Sequence, residues 1–153
     1  MIEHGKPAPS LSGTTGDGNT IKLSDFKGQW LVVYFYPRDN TPGCTTEANA
    51  FRDLYAEFRQ RNAEIIGVSR DSTKSHHGFS AKHELPFPLV SDPDETWCRA
   101  FDVIHEKKLY GKLGLGVVRS TFLIDPAGKI AQIWRKVRVK GHVEEVLDSI
   151  PQQ

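Results

Sequence analysis

The order of apolar and polar positions is clearest in the first half of the chain, where an unbroken apolar run extends from Trp30 to Tyr36 and ends at Pro37. A short run rich in β-branched and aromatic side chains predicts a central strand that is buried on both faces. Beyond the following turn, apolar residues recur at helical spacing with charged residues between them, at Ala48, Phe51, Leu54, Tyr55 and Phe58. The pattern therefore predicts a strand followed by an amphipathic helix.

A second apolar segment, from Ala63 to Ser69, completes this unit. A strand, a helix and a strand in close succession predict two parallel strands with a right-handed crossover. Functional sites in open α/β sheets gather at the carboxyl ends of the strands. Cys44 lies at such an end, in the predicted first turn of the helix, where unpaired N–H groups and the positive end of the helix dipole converge. A thiol placed there tends to ionise, so we interpret Cys44 as a reactive cysteine.

The remainder of the chain predicts short strands and helices in alternation. Before the central unit, residues 11–14 and 20–23 predict a hairpin, and residues 24–28 predict a short helical turn. After it, the pattern predicts a polar surface helix (72–83), a strand (87–90), a helix that starts at Ser91-Asp92 and runs through Phe101, a long flexible loop suited to form the wall or lid of a site (102–118), two strands (119–125 and 129–134) and a closing helix (143–150). Together these elements predict a thioredoxin-like α/β fold, with a central mixed β-sheet flanked by helices.

Length and composition exclude several classes of protein. With 153 residues, 38% hydrophobic and 25% charged, the chain has the composition of a globular protein, and we expect one domain over residues 1–153. The formal net charge of +1 selects neither nucleic acid nor an anionic membrane as a partner. The longest apolar run is far shorter than the roughly 20 residues that cross a bilayer, and the first six residues lack the apolar region of a signal peptide. A basic cluster near the end is interpreted as a solvated strand edge: Arg135, Lys136, Arg138 and Lys140.

The cysteines and histidines indicate neither disulfide bonds nor a metal site. Cys44 and Cys98 stand far apart without a C-x-x-C motif, so we expect neither a disulfide framework nor a zinc site, and a reducing cytoplasm as the location. Cys98 stands in apolar company, which favours a core cysteine. His76, His77 and His83 suggest metal binding, but adjacent histidines point to different sides of a helix and no further ligand stands at the usual spacing. We therefore expect no metal and no other cofactor.

The turn before Cys44 carries a specific motif. Pro37, Thr41 and Cys44 form the pattern P-x-x-x-T-x-x-C, and Pro42-Gly43 forces the turn immediately before the sulfur. From residue 34 to residue 53, the chain resembles the peroxiredoxin family, in its bacterioferritin-comigratory-protein or peroxiredoxin Q branch. The likeness extends to four further stretches: Lys6-Pro7-Ala8-Pro9, Leu23-Ser24-Asp25-Phe26, Arg119-Ser120-Thr121-Phe122-Leu123-Ile124-Asp125 and Val139-Lys140-Gly141-His142.

The resemblance implies a thioredoxin-like fold with an N-terminal extension, and an enzyme that reduces peroxides through a sulfenic acid on Cys44. It implies that Thr41 orients the peroxide, that Arg119 stabilises the thiolate and the transition state, and that Pro37 shields the site. Arginine suits this role because its planar group stays charged and offers several donors.

Two neighbours of the cysteine are expected to support these residues. Glu47 follows Cys44 by one helical turn, and we expect it to hold Arg119 in place. Gly43 belongs to the turn that positions the substrate. For Arg119 the alternative is a surface ion pair, which its place at the start of an apolar strand makes the weaker interpretation.

The chain departs from the family pattern in its second cysteine. Many relatives carry a resolving cysteine five residues after the reactive one, where this chain has Asn49, and others carry it in the following helix, where residues 72–83 contain none. Only Cys98 remains, and as a resolving residue it is the weaker alternative because its burial must first be undone. We expect a one-cysteine mechanism in which glutathione, glutaredoxin or thioredoxin reduces the sulfenic acid.

Two other functions stay open at this point. A peroxide sensor or thiol-dependent chaperone would use oxidation of Cys44 to alter an interface without significant turnover, and a thiol transferase would act on disulfides without peroxide. For the assembly we expect a monomer or a weak homodimer, with no nucleic acid and no membrane as partners.

Overall fold

The computed structural model of the protein describes residues 2–109 and 111–152. Within this part of the chain, the strands are β1 (Ser12–Thr15), β2 (Thr20–Lys22), β3 (Trp30–Phe35), β4 (Ala63–Ser69), β5 (Leu89–Ser91), β6 (Ile104–Leu109), β7 (Lys112–Val117), β8 (Ser120–Ile124) and β9 (Ile130–Arg135). The helices are α1 (Pro42–Asp53), α2 (Tyr55–Gln60), α3 (Thr73–His83), α4 (Thr96–Ala100) and α5 (His142–Asp148), with a 3₁₀ turn at Leu23–Phe26.

Seven of the strands form one mixed sheet in the order β2-β1-β5-β4-β3-β8-β9. The strands β3 and β4 are parallel, as the crossover argument predicts, and β5 is also parallel to β4. The hairpin β8–β9 adds antiparallel strands beside β3, and the N-terminal hairpin β1–β2 pairs antiparallel with β5. Helices flank this sheet, and the predicted thioredoxin-like fold is confirmed.

The central strand β3 is buried on both faces, as predicted. Each of its residues from Leu31 to Phe35 is at most 1% exposed. Val32 and Tyr34 pack into one core with residues of α1, α2 and α5, whereas Val33 and Phe35 pack into a second core with residues of α4. Because successive side chains of a strand point to opposite faces, the sheet separates these two cores.

The predicted helix that starts near Cys44 and continues to Phe58 is divided into two helices at Leu54. Helix α1 ends at Asp53, and Leu54, with φ −102° and ψ 7°, leaves the helical conformation before α2 begins at Tyr55. Backbone hydrogen bonds from Leu54 N to Ala50 O and from Phe58 N to Leu54 O continue across this division. Phe51 and Phe58 lie in the same core, with their ring centroids 5.8 Å apart, as the helical spacing predicts.

The flexible loop predicted over residues 102–118 is wrong. These residues form the antiparallel hairpin β6–β7, a two-stranded sheet separate from the main one. Its base is joined to the body by a hydrogen bond from Val118 N to Val103 O of 2.8 Å. Glycine at positions 114 and 116 suggested a loop, but Gly114 pairs with Lys107, and backbone pairing needs no side chain there.

The polar helix over residues 72–83 is confirmed, with Ser72 accepting a capping hydrogen bond from Ser75 N. The helix predicted to start at Ser91-Asp92 begins instead at Thr96. The remaining predicted strands and helices begin and end within two residues of the observed bounds. None of the helices in the described residues is long and apolar enough to cross a membrane.

Candidate active site

Cys44 is the third residue of helix α1, which follows the carboxyl end of β3 after the turn formed by residues 36–41. Its side chain belongs to the core and is 2% exposed. The first intrahelical bond of this turn runs from Thr45 N to Thr41 O, at 2.9 Å. The amides of Gly43 and Cys44 come before that bond, and Pro42 has no N–H, so the two free amides and the helix dipole lie at the sulfur.

Arg119 brings a positive charge to the sulfur from the far end of the sequence. Its Nη2 donates to Sγ of Cys44 at 3.4 Å. The register of β3 and β8 pairs Phe35 with Ser120, which places the residue before β8 beside the turn that follows β3. The backbone of Arg119 is fixed as well, because its carbonyl accepts a hydrogen bond from Val137 N at 3.0 Å. The predicted meeting of Cys44 and Arg119 is present in the fold.

Glu47 holds the other side of the same guanidinium. Its Oε1 accepts from Arg119 Nη1 at 2.7 Å, and its side chain is completely buried. Burial raises the pKa of Glu47 to about 7, and the charge of Arg119 opposes that rise only in part. The other carboxylate oxygen of Glu47 and the hydroxyl of Tyr34 are buried without a hydrogen-bond partner among the residues described. Glu47 thus contacts one nitrogen of the guanidinium while the other contacts the sulfur, and its role of holding Arg119 in place stays a prediction.

Gly43 leaves the room that this arrangement needs. A Cβ atom at this position would lie 3.3 Å from Arg119 Nη2, closer than most side chains tolerate. The absence of a side chain thus lets the guanidinium approach the helix start.

Thr41 and Pro37 lie in the turn between β3 and α1. The hydroxyl of Thr41 donates to the carbonyl of Arg38 at 2.9 Å and does not cap the helix. Pro37 is partly buried between the strand and the turn. The roles of both residues stay predictions.

A buried polar cluster behind the turn is what the sequence analysis missed. Asp39 is 4% exposed and accepts hydrogen bonds from the hydroxyls of Tyr36 and Ser75, each at 2.7 Å. Its second carboxylate oxygen also lies 2.7 Å from Nδ1 of His76, and its amide donates to Asp71 at 2.9 Å. Burial alone would raise the pKa of Asp39, but these hydrogen bonds lower it below its ordinary value. The cluster ties the turn that carries Thr41 and Cys44 to β4 and α3.

His76 lies on α3, which the sequence predicts to be a polar surface helix, but its side chain faces the core. It is fully buried, and its Nε2 lies 3.0 Å from the carbonyl oxygen of Val90. Ligand atoms of Asp39, Asp71 and His76 lie within 4.8 Å of one another, although no carboxylate stands at a ligand spacing in the sequence. Both ring nitrogens of His76 already have hydrogen-bond partners in the fold, so the cluster is satisfied by its own contacts. A polar residue at a core-facing helical position was the only sequence signal.

Cys98 lies in a different environment from Cys44. It is fully buried in the core on the opposite face of the sheet, with Trp97 and Phe101. Burial raises the pKa of the Cys98 thiol strongly, and the carboxylate of Asp92 raises it further. Both cysteines are free thiols. The interpretation of Cys98 as a core cysteine agrees with this burial.

Residues 4–133 match the model of the AhpC/TSA family. The chain belongs to this family. The resemblance found in the motif around Cys44 is thereby confirmed.

Curated relatives agree along most of the chain. Peroxiredoxin Bcp of Xanthomonas campestris is 56% identical over 141 residues, covering 92% of this chain and 86% of the relative. Peroxiredoxin Bcp of Bacillus subtilis is 51% identical over 149 residues, covering 97% of this chain and 95% of the relative.

Solved structures show the same fold. A structure of Xanthomonas campestris peroxiredoxin Q, 54% identical, has a TM-score of 0.88 over 92% of this chain and 89% of the other. Peroxidoxin BcpB of Mycobacterium tuberculosis, 30% identical, has a TM-score of 0.86 over 98% of this chain and 97% of the other. The protein is accordingly a peroxiredoxin, an enzyme that reduces a peroxide substrate with electrons from thiols.

Proposed function

We propose that Cys44 is the residue that attacks the peroxide, and that an external thiol, rather than a second cysteine of the chain, reduces the product. The observation that carries the first part is the contact of 3.4 Å between Arg119 Nη2 and Cys44 Sγ at the start of a helix. A cation and free amides at the sulfur favour the thiolate, which is the nucleophile.

In the first step, the thiolate of Cys44 attacks one peroxide oxygen. An S–O bond forms, the O–O bond breaks, and the leaving oxygen takes up a proton to give water or an alcohol. Arg119 and the amides at the helix start stabilise the negative charge that moves from sulfur to oxygen. The hydroxyl of Thr41 turns from the carbonyl of Arg38 to orient the peroxide, and Pro37 limits the access of water.

In the second step, the thiolate of an external reductant attacks the sulfur of the sulfenic acid. A disulfide between that thiol and Cys44 forms, and the oxygen leaves as water with two protons. A second thiol then releases the reduced Cys44 and leaves as a disulfide. Glutathione, glutaredoxin and thioredoxin are the reductants we propose, in a reducing cytoplasm, for a chain that acts as one domain and as a monomer or a weak homodimer.

The one-cysteine mechanism is supported by the separation of the two cysteines. Cys44 and Cys98 pack into cores on opposite faces of the sheet. A disulfide between them needs Cα atoms about 4.4–6.8 Å apart, and thus the unfolding of α1 or α4 first. For the substrate we propose hydrogen peroxide and organic hydroperoxides, in line with the alkyl peroxide reduction activity of the Xanthomonas campestris relative.

Intact mass after one equivalent of peroxide tests both parts. We expect the mass of one added oxygen without a thiol, and the mass of one glutathione adduct at Cys44 when glutathione is present. Loss of two hydrogens, with peptides of Cys44 and Cys98 joined, would contradict the one-cysteine mechanism. Consumption of many equivalents of peroxide with glutathione would separate the enzyme from a sensor or chaperone that is oxidised once.

A further inference from the structure

The hairpin β6–β7 holds one lysine whose ammonium group binds the backbone two residues before Arg119, and nothing in the mechanism above uses it. We propose that the ammonium group of Lys107 binds the carboxylate of a small anionic thiol, and thereby selects the class of reductant that reacts with oxidised Cys44. This inference rests on the proposed external-thiol mechanism and specifies which thiols serve it.

The hairpin holds the side chain of Lys107 in a fixed channel. Lys107 pairs with Gly114, and on the same face its stem lies against Gly116, where a Cβ atom would approach Cδ of Lys107 to 2.9 Å. Its Nζ donates to the carbonyl of Val117 at 2.9 Å. Gly116 therefore forms a groove for the stem, and the groove ends two residues before Arg119.

The ammonium group of Lys107 also interacts with the charges around it. Burial lowers the pKa of Lys107 from its ordinary value, Arg119 and Arg70 lower it further, and the negative charge of Cys44 acts in the opposite direction. These directions agree with the geometry, since Nζ of Lys107 binds the carbonyl of Val117, two residues before the arginine that contacts Cys44.

The neighbouring cations are already paired, and Lys107 is not. Arg119 contacts Glu47 at 2.7 Å, and Arg70 contacts Glu95 at 2.9 Å. Among residues 2–109 and 111–152, no carboxylate lies within ion-pair distance of Lys107. One N–H of the ammonium group is used by the carbonyl of Val117, which leaves two donors for a ligand.

Oxidation of Cys44 makes this cation available at the right step. In the reduced enzyme the thiolate offsets the positive charges around it. The reaction with peroxide converts the thiolate into a neutral sulfenic acid, so one negative charge leaves the site while Lys107 and Arg119 stay. A neutral peroxide is therefore favoured before oxidation and an anionic thiol after it.

The bond changes are those of the second step above. The thiolate attacks Sγ, the S–S bond forms, the S–O bond breaks, and the oxygen leaves as water. The carboxylate of the thiol meanwhile accepts hydrogen bonds from Nζ of Lys107, and it takes no part in the bond changes. Lys107 is thus a residue that binds and positions the reductant.

A series of small thiols of different charge tests the proposal. Pre-oxidised protein is mixed with mercaptoacetate (anionic), mercaptoethanol (neutral) or cysteamine (cationic), and formation of the mixed disulfide is followed by mass. Each rate is divided by the rate of a Lys107→Met variant with the same thiol, which cancels the intrinsic reactivity of the thiol. We expect Lys107→Met to slow mercaptoacetate about tenfold and mercaptoethanol less than twofold, since a charge-assisted hydrogen bond is lost.

Matched variants separate charge, position and general damage. Lys107→Arg should restore most of the preference for the anionic thiol. Gly116→Ala keeps the charge but fills the groove, and should reduce the preference. Lys108→Met removes an exposed lysine that points to the other face of the same strand, opposite Leu113, and should leave the preference unchanged.

Three results would overturn the proposal: equal slowing of all three thiols by Lys107→Met, an equal effect of Lys108→Met, or an equal slowing of Cys44 oxidation by hydrogen peroxide. A parallel oxidation by a carboxylate-bearing hydroperoxide distinguishes an anionic peroxide from an anionic thiol as the ligand. If no thiol of the series forms a mixed disulfide with an intact sulfenic acid, the external-thiol mechanism itself fails, which is a different result from a loss of charge preference.

Discussion

The two cysteines occupy equivalent local positions in unlike surroundings. Cys44 is the third residue of α1, and Cys98 is the third residue of α4. Both side chains are buried, and a buried carboxylate lies near each. At Cys44, Glu47 binds a guanidinium that faces the sulfur. At Cys98, Asp92 acts on the helix start itself and raises the pKa of the thiol together with burial.

The difference lies in what satisfies the amides of the first turn. The carboxylate of Asp92 accepts from the amides of Trp97 and Cys98, at 3.0 Å and 2.9 Å. At α1 the hydroxyl of Thr41 donates to the carbonyl of Arg38, and no side chain of the described residues caps the turn. The start of α4 is therefore bound by a carboxylate, whereas the start of α1 has no side-chain cap among the described residues and lies beside the guanidinium of Arg119. A helix start alone does not make a thiol reactive.

The strongest test of this comparison removes each sulfur in turn. Cys44→Ser should lower peroxide consumption by at least about four orders of magnitude, because the nucleophile is lost. Cys98→Ser should keep most of the activity with a small-molecule thiol, since its sulfur faces a carboxylate in the other core. Steady-state peroxide consumption measures both. A comparable loss in Cys98→Ser, with an unchanged circular dichroism spectrum, would refute the distinction between the two sites.

Removal of the cation at Cys44 should have the next largest effect. Arg119→Ala should slow the reaction with peroxide by about two to three orders of magnitude, as loss of a donor to a developing negative charge does elsewhere. Stopped-flow measurement of Cys44 oxidation gives the rate. The control is Arg99→Ala, which removes an arginine beside Cys98 that pairs with Glu95. Rates for Arg119→Ala within twofold of the parent would exclude Arg119 from the reaction.

The carboxylate beside Cys44 should make stability depend on pH. The pKa of Glu47 is raised by burial from 4.5 to about 7, so the folded chain holds this proton more tightly than the unfolded chain does. The contribution of Glu47 to the free energy of unfolding is therefore greatest below pH 4.5 and declines as the pH rises to about 7. Glu47→Gln should remove a slope of up to about 1.4 kcal/mol per pH unit.

Urea unfolding between mildly acidic and neutral pH measures this slope. The exposed Glu57→Gln in α2 serves as the control for the loss of one negative charge. An identical pH dependence in the parent and Glu47→Gln would show that ionisation of Glu47 is not coupled to folding.

The carboxylate beside Cys98 should matter for stability and not for catalysis. Asp92→Ala leaves the amides of Trp97 and Cys98 without their acceptor, and should lower the free energy of unfolding by about 1–2 kcal/mol. Peroxidase activity per folded molecule should stay unchanged. Urea unfolding and activity are measured together, with the exposed Asp94→Ala as the control. A loss of activity larger than the loss of folded protein would connect this region to the reaction.

Local pattern determined much of this protein. The βαβ unit follows from the apolar runs of β3 and β4 and from the periodic apolar residues between them. Burial of one face gives the apolar residues of a helix or strand a regular spacing, which is visible in a short window of sequence. The same window places Cys44 at the helix start. It also predicts a helix that starts at Ser91-Asp92, although the observed helix begins only at Thr96, whose first turn the carboxylate of Asp92 binds.

Only the tertiary structure decided which groups meet. Arg119 reaches a sulfur 75 positions earlier, and His76 reaches Asp39 37 positions earlier, because strand register and helix packing bring those segments together. The hairpin that carries Lys107 is held by backbone pairing, and the side chains of β6 show no alternation of apolar and polar residues that would predict a strand. The sheet that separates Cys44 from Cys98 is a property of the whole fold. Contacts between distant segments depend on the packing of the entire chain, and a local pattern contains no record of them.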